Sequence, residues 1–221
     1  MDLILIFIPL ILIGLSQWYI NSSYKRFSSD EISSNITGSK AARMILDANG
    51  LSNVKIQKVP GTLTDNFNPS TNIVSLSSDI YDESSIASVA VAAHECGHVI
   101  QHKVKYAPIV IRSVLVPVVN LASKAGYIIM IVGIMASILN LAMIGLIMMC
   151  ATLLFQLVTL PTEFDASKRG KEQLLKLNII TKKELPSVKT MLNSAAMTYL
   201  ASFFASFAQM LRLFLNINRR N

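Results

Sequence analysis

The sequence predicts a mainly α-helical, multi-pass membrane protein with a small β-hairpin or sheet, on three observations. Only 15% of its 221 residues are charged while 52% are hydrophobic, against about 25% charged in a soluble domain. The charges are unevenly spread, leaving stretches 3–24, 125–160 and 190–211 with none at all. Between the first two of these lies a polar region with its own helical and strand-like patterns. Such a composition excludes an ordinary water-soluble globule and a disordered chain.

Each uncharged stretch has a length that decides its form. A helix crossing the hydrocarbon core of about 30 Å needs about 20 residues, so 3–24 and 190–211 each suffice for one span. The 36 residues of 125–160 would make a helix of about 54 Å, too long for one crossing. Two crossings of about 27 Å fit, with a turn near Asn140. The resulting order is a transmembrane anchor at 3–24, a polar region at 25–123, a helical hairpin at 124–160, a helical region at 161–190, and a C-terminal membrane helix at 190–216.

The first stretch lacks a preceding basic residue and a small-residue cleavage site, so it reads as a retained anchor rather than a removed signal peptide. Trp18 and Tyr19 stand where an interfacial aromatic belt belongs, with Lys25 and Arg26 just beyond. Basic residues favour the cytoplasmic side, which places the N-terminus outside and residue 25 onward in the cytoplasm. All but three of the 20 basic residues then stay inside. The three, Arg212, Arg219 and Arg220, argue against a complete fourth crossing. The net charge of +7 is thus an orientation signal, and no nucleic acid is implied, because the basic residues flank apolar segments instead of gathering with aromatics on a polar face. Cys96 and Cys150 are too few for a disulfide framework and are expected as free thiols.

Within the polar region, 39–50 (SKAARMILDANG) predicts a short helix with Ala42, Ile45 and Leu46 on one face and an Asn-Gly stop. Two β-like runs follow at 54–59 and 73–76, separated by the turn-rich DNFNPSTN, and predict a hairpin or small sheet. Asp82, Glu83 and Ser84 supply N-cap and first-turn chemistry for a helix from about Ser84 to beyond His102.

That helix carries His-Glu-Cys-Gly-His at 94–98, which fits H-E-x-x-H. Positions i and i+4 share a helix face, so the imidazoles of His94 and His98 can address one Zn²⁺. Glu95 is rotated about 100° from His94, near enough to take a proton from water at the metal without occupying it. The apolar, helix-forming SSIASVAVAA before the motif is the context it requires. His102 lies a turn further on but does not fit the three-histidine motif, so it reads as a surface or supporting residue. Cys96 points away from the ligand face and reads as a small buried side chain.

A catalytic zinc takes three protein ligands. An even number of crossings returns the chain to the same side of the membrane at LPTEFDASKRG, 160–170, where Glu163 is the first ionisable residue after the 36 uncharged ones. Position alone also allows Glu163 to be a solvated helix-start residue, but the missing third ligand favours the metal.

The chain resembles the YugP-like neutral zinc metallopeptidases of bacterial membranes, a group similar in plan to the HtpX and CAAX-prenyl membrane proteases. The resemblance covers nearly the whole chain. It rests on the N-terminal anchor, LSSDIYDESSIASVAVAAHECGHVIQH at 76–102, RSVLVPVVNLAS at 112–123, TLPTEFDASKRG at 159–170 and AAMTYLASFFASFAQMLRLF near the end. It implies a zincin-like, gluzincin-type metalloendopeptidase with one catalytic Zn²⁺ on His94, His98 and Glu163, Glu95 as general base, and a protein or peptide substrate, membrane-associated or not. Related enzymes carry Glu-x-x-x-Asp, whose Asp supports a ligand histidine; here that position is Ser167, so the role falls either there or to Asp165.

Two further readings concern substrate. The run 63–76 can form an edge strand that pairs with an extended peptide, or be an ordinary hairpin. In the last apolar segment, Ser194, Thr198, Ser202, Gln209 and Arg212 recur at helical spacing and are expected to face protein, not lipid. Tyr199 is a candidate oxyanion donor that nothing in the sequence ties to the metal. The alternative to an enzyme is a catalytically inactive zinc-binding membrane scaffold or regulatory protein, which would tolerate loss of Glu95. A transporter would need ionisable residues in its spans, and 3–24 and 125–160 have none.

Overall fold

The computed structural model describes residues 2–218 in two compact units, one formed by Trp18–Tyr106 with Thr162–Ala196 and the other by residues 2–17, 107–161 and 197–218. Arg219 and Arg220, assigned above to the far side, lie outside the described residues. The elements, in order, are α1 (Asp2–Ser28), α2 (Gly38–Ala48), β1 (Lys55–Val59), β2 (Asn66–Asn68), β3 (Ile73–Ser77), α3 (Ser78–Asp82), α4 (Ile86–Lys103), α5 (Ala107–Met135), α6 (Leu139–Lys176) and α7 (Leu185–Asn218). The protein is mainly helical, and α1, α5, α6 and α7 are each long and apolar enough to cross a membrane. α7 has that length despite Arg212.

In the apolar unit, α5 and α6 form the expected helical hairpin, with the turn at 136–138, near Asn140. There Ser137 takes φ 56° and the Ile138 amide closes on the Gly133 carbonyl. Small residues set the turn by letting the two backbones touch: a Cβ on Gly133 would stand 2.3 Å from the Ala142 nitrogen, and one on Gly145 2.4 Å from the Met130 nitrogen. α5 also starts at Ala107, well before the uncharged run, because Arg112 and Lys124 limit how apolar the segment is and not how far it stays helical. Met130, Ala142, Leu146 and Ile217 form this unit's small core. The outer faces of the helices remain apolar and exposed, as at Phe7, Leu121 and Leu154, which is the surface that lipid covers. The predicted polar stripe on α7 only partly faces protein. Ser194 is buried, but Ser202 and Gln209 are exposed. Ser202 can face lipid because its hydroxyl donates to the Thr198 carbonyl of its own helix. Ser206, outside the stripe, accepts from the Gln156 side chain.

The polar unit is built around α4. α2 begins as its sequence dictates, with the Thr37 hydroxyl accepting from the Lys40 amide, and buries Ala41, Ala42, Ile45 and Leu46. It ends at Asn49, with Gly50 at φ 63°. The strand runs do not form a hairpin with each other. β1 pairs with β3 in parallel, while β2 adds antiparallel to the other side of β3, giving the order β1-β3-β2. β2 is the Asn-Phe-Asn inside the turn-rich segment. It has no strand propensity of its own beyond Phe67 and becomes a strand only by pairing with β3. Asp65 fixes its approach by accepting from the Ser77 amide and hydroxyl. Burial raises the proton affinity of Asp65, against the pull of those hydrogen bonds.

The cap of α4 differs from expectation. Asp82 ends α3, and residues 83–85 run extended, paired to the segment after α1: the Ile32 amide donates to the Ser84 carbonyl, and the Ile86 amide to the Asp30 carbonyl. The helix can begin only where this pairing ends, so the cap is Ser85, whose side chain accepts from the Ser88 amide. α4 then runs through the core, burying Val89, Ala90, Ala92, Ala93, Cys96 and Val99 against α2, β3 and the first turns of α7. Cys96 is a free, buried thiol on the side away from His94 and His98, and burial pushes its pKa up.

Ahead of α7, Glu184 ties two distant segments together. Its carboxylate accepts from the amide and hydroxyl of Ser33 and from the amide and hydroxyl of Thr181. Slight burial would raise its pKa, but these four donors hold it down at about 2. Because the folded value lies below the unfolded one, this stabilisation is present above the ordinary carboxylate range and is lost as pH falls from about 4.5 towards 2. Melting Glu184→Gln and the native protein in parallel should show the native protein ahead at pH 7, by on the order of 1 kcal/mol after solvent screening, and the gap shrinking steadily as pH falls from about 4.5 towards 2.

Candidate metal centre

Two helices of the polar unit supply the site. α4 carries the H-E-x-x-H residues, and the part of α6 within this unit carries Glu163. They meet backbone to backbone because glycine stands at both crossings. A Cβ on Gly97 would lie 2.3 Å from the Ala166 carbonyl oxygen, and one on Gly170 2.6 Å from the Ala93 carbonyl oxygen. Backbone cannot yield as a flexible side chain can, so Gly97→Ala should force the helices apart. The expected result is a loss of about 1–3 kcal/mol of stability together with lower metal content, measured by thermal melting and elemental analysis of the same preparation.

This close approach brings His94, His98 and Glu163 together, with one potential ligand atom from each lying within 4.8 Å of the others. The Nε2 atoms of His94 and His98 stand 3.2 and 3.5 Å from the same Oε2 of Glu163. A tetrahedral zinc with bonds of about 2.0–2.1 Å separates its ligand atoms by about 3.3 Å, so the observed spacing fits that ion. The rings of His94 and His98 are nearly perpendicular, at 85°, each turning Nε2 towards Glu163.

Neighbouring groups hold the opposite edge of each imidazole. His94 Nδ1 lies 3.0 Å from the Ser167 hydroxyl. His98 Nδ1 lies 3.0 Å from Oε1 of the fully buried Gln101. The Gln101 amide cannot be reversed, because its NH₂ donates to the Thr162 carbonyl and to Asp165 Oδ2. Its oxygen must therefore accept the His98 Nδ1–H, which leaves the Nε2 lone pair free for a metal. Asp165 is itself held by Arg169, whose guanidinium lies over the Tyr106 ring. Burial alone would lower the proton affinity of His98, but the Glu163 carboxylate prevails and raises it.

Glu95 sits between the histidines in sequence and is buried. Burial raises its pKa, opposed by the nearby His94 and His98. His102 does not join the group. Its ring meets Phe67 of β2 edge-on at 5.5 Å, which sets the sheet's edge strand against the helix that carries His94 and His98. Tyr199 is exposed on α7 and belongs to the other unit.

Sequence reasoning placed the three ligand candidates but missed Gln101, Thr162 and the two glycines. Gln101 was detectable in principle, since it lies three residues after His98 and so on the same helix face. The choice between Asp165 and Ser167 proved false: Ser167 serves His94, and Asp165 serves His98 through Gln101.

Comparison with known proteins bears on this geometry. The family described as "Putative neutral zinc metallopeptidase" matches residues 2–218. This chain belongs to that family. A relative from Bacillus subtilis (strain 168), described as "Putative membrane protease YugP", is 39% identical over 220 residues, covering 97% of this chain and 98% of the relative. No solved structure gives a significant match. Zinc is therefore the metal of the family, and the His94, His98 and Glu163 group of this metallopeptidase is able to hold it.

Proposed function

We propose that this member of the family is an integral-membrane zinc metalloendopeptidase in which Glu95 is the general base and His94, His98 and Glu163 hold the ion. The observation that carries the reading is the convergence of two histidine Nε2 atoms on one Glu163 oxygen, with both Nδ1 edges already occupied. Zinc held by these three residues would supply Lewis acidity for activating water and polarising an amide carbonyl. Glu95 accepts the proton of the attacking water and delivers it to the leaving amine. Its burial supports this role, because desolvation raises the affinity of the carboxylate for the proton it has to accept. Ser167 and Gln101 keep the two imidazoles from rotating as charge builds up at the site.

The substrate is an extended peptide. β2 lies at one edge of the sheet, and Phe67 packs on His102 of the same helix that bears the ligands. Its free edge can take the peptide as an added strand, with main-chain hydrogen bonds aligning the scissile bond. The density of basic residues outside the uncharged runs supports a cytoplasmic orientation for the polar unit.

Metal removal tests the reading. Hydrolysis of an unfolded protein substrate by the purified enzyme should cease on treatment with a chelator and return with stoichiometric zinc. Hydrolysis that persists in the metal-free protein would exclude the mechanism.

A further inference from the structure

A second feature of the polar unit is separate from peptide cleavage. α6 and α7 leave between them a cleft of about 220 Å³. Lys168 and Lys171 of α6 and Lys189 of α7 line it, and no acidic residue does. None of the three lysines is ion-paired among the described residues. Three like charges around one concavity repel each other and gain from a bound anion.

The rest of the lining indicates which anion. Phe164, Leu192 and Ala196 form an apolar wall, and Phe164 is about half exposed. α6 and α7 are joined by the short segment 177–184 and so run antiparallel, which sets Phe164 and Ala196 towards one end of the cleft and Lys171 and Lys189 towards the other. The apolar end is the one nearer in sequence to the uncharged run of α6, and on α7 it lies within the uncharged run. The lysines take the opposite end. Cationic heads beyond an apolar wall, at the margin of two membrane-spanning helices, match an anionic phospholipid, with phosphodiester on the lysines and acyl chain on the wall. A peptide is the poorer fit. The cleft reaches the metal centre only through Ser167, which touches the Nδ1 edge of His94, the edge turned away from Glu163.

We propose that this cleft is a binding site for the headgroup of an anionic phospholipid, seated on Lys168, Lys171 and Lys189 and bordering the Ser167 hydroxyl that supports His94. The test measures binding and does not depend on proteolysis. Delipidated full-length protein in detergent is titrated with phosphatidylglycerol, phosphatidylcholine or inorganic phosphate, and bound lipid and melting temperature are recorded. Phosphatidylglycerol should bind and raise the melting temperature where phosphatidylcholine does not. Combined Lys168→Gln, Lys171→Gln and Lys189→Gln should weaken that binding at least about tenfold, and Arg at the same three positions should restore it. Lys176→Gln, Lys182→Gln and Lys183→Gln together remove as many charges outside the cleft and should leave it intact. Equal loss in this control would reduce the effect to general surface charge and overturn the proposal. So would unchanged binding in the cleft variant, or inorganic phosphate stabilising the protein as well as the lipid does.

Discussion

Glu95→Gln is expected to lower peptide hydrolysis by about 10²–10⁴-fold, the usual worth of a positioned general base, while zinc content stays at one ion per chain. The substitution removes one proton acceptor and leaves the ligand atoms of His94, His98 and Glu163 in place. Gln fills the same volume at a buried position, so packing along α4 is kept. The amide also escapes the cost of burying a carboxylate, so the variant should melt no lower than the native enzyme. Loss of activity with full zinc and an undiminished melting temperature would identify Glu95 as chemical in role. Activity near the native level would favour an inactive scaffold whose apparent hydrolysis comes from a contaminant.

Glu163→Ala is expected to act on the metal itself. The carboxylate is almost fully buried and faces both imidazoles at 3.2 and 3.5 Å. Its removal leaves two ligands where a catalytic zinc wants three. Groups that merely support ligands change metal affinity by about 10–100-fold, so loss of a ligand should exceed about 100-fold, with activity falling in step. Elemental analysis after dialysis at a fixed free-zinc concentration measures it. Unchanged zinc in Glu163→Ala would move the third ligand elsewhere. Gln101→Ala offers a graded comparison, since it frees the His98 ring without removing a ligand and should fall within the 10–100-fold range.

The legible parts of the site were those fixed by local spacing. H-E-x-x-H needs only the 3.6-residue period of a helix to bring His94 and His98 to one face, and the alanine-rich segment before it ensures that helix. Glu163 was legible by a longer argument, from a charge-free run long enough to cross a membrane and return. Partnerships that depend on which backbone lies alongside another were not legible. β2 is three residues of weak propensity, made a strand by the neighbouring β3. The α4 cap moved from Ser84 to Ser85 because residues 83–85 pair with a segment more than fifty positions earlier. The hairpin turn at 136–138 falls near Asn140 as expected, and glycine contacts between α5 and α6 set its register.

The sequence by itself determined membrane-length helices and two histidines on one helix face, because hydropathy and helical periodicity act over neighbouring residues and survive any arrangement of the rest. Only the tertiary structure decided how the candidate ligands are held. Gly97 and Gly170 let α4 and α6 meet at backbone distance, and that contact hands His94 to Ser167 and His98 to Gln101, Thr162 and Asp165. The contacts of His94 with Ser167 and of Gln101 with Thr162 and Asp165 each span more than sixty residues of chain, and no local pattern records them.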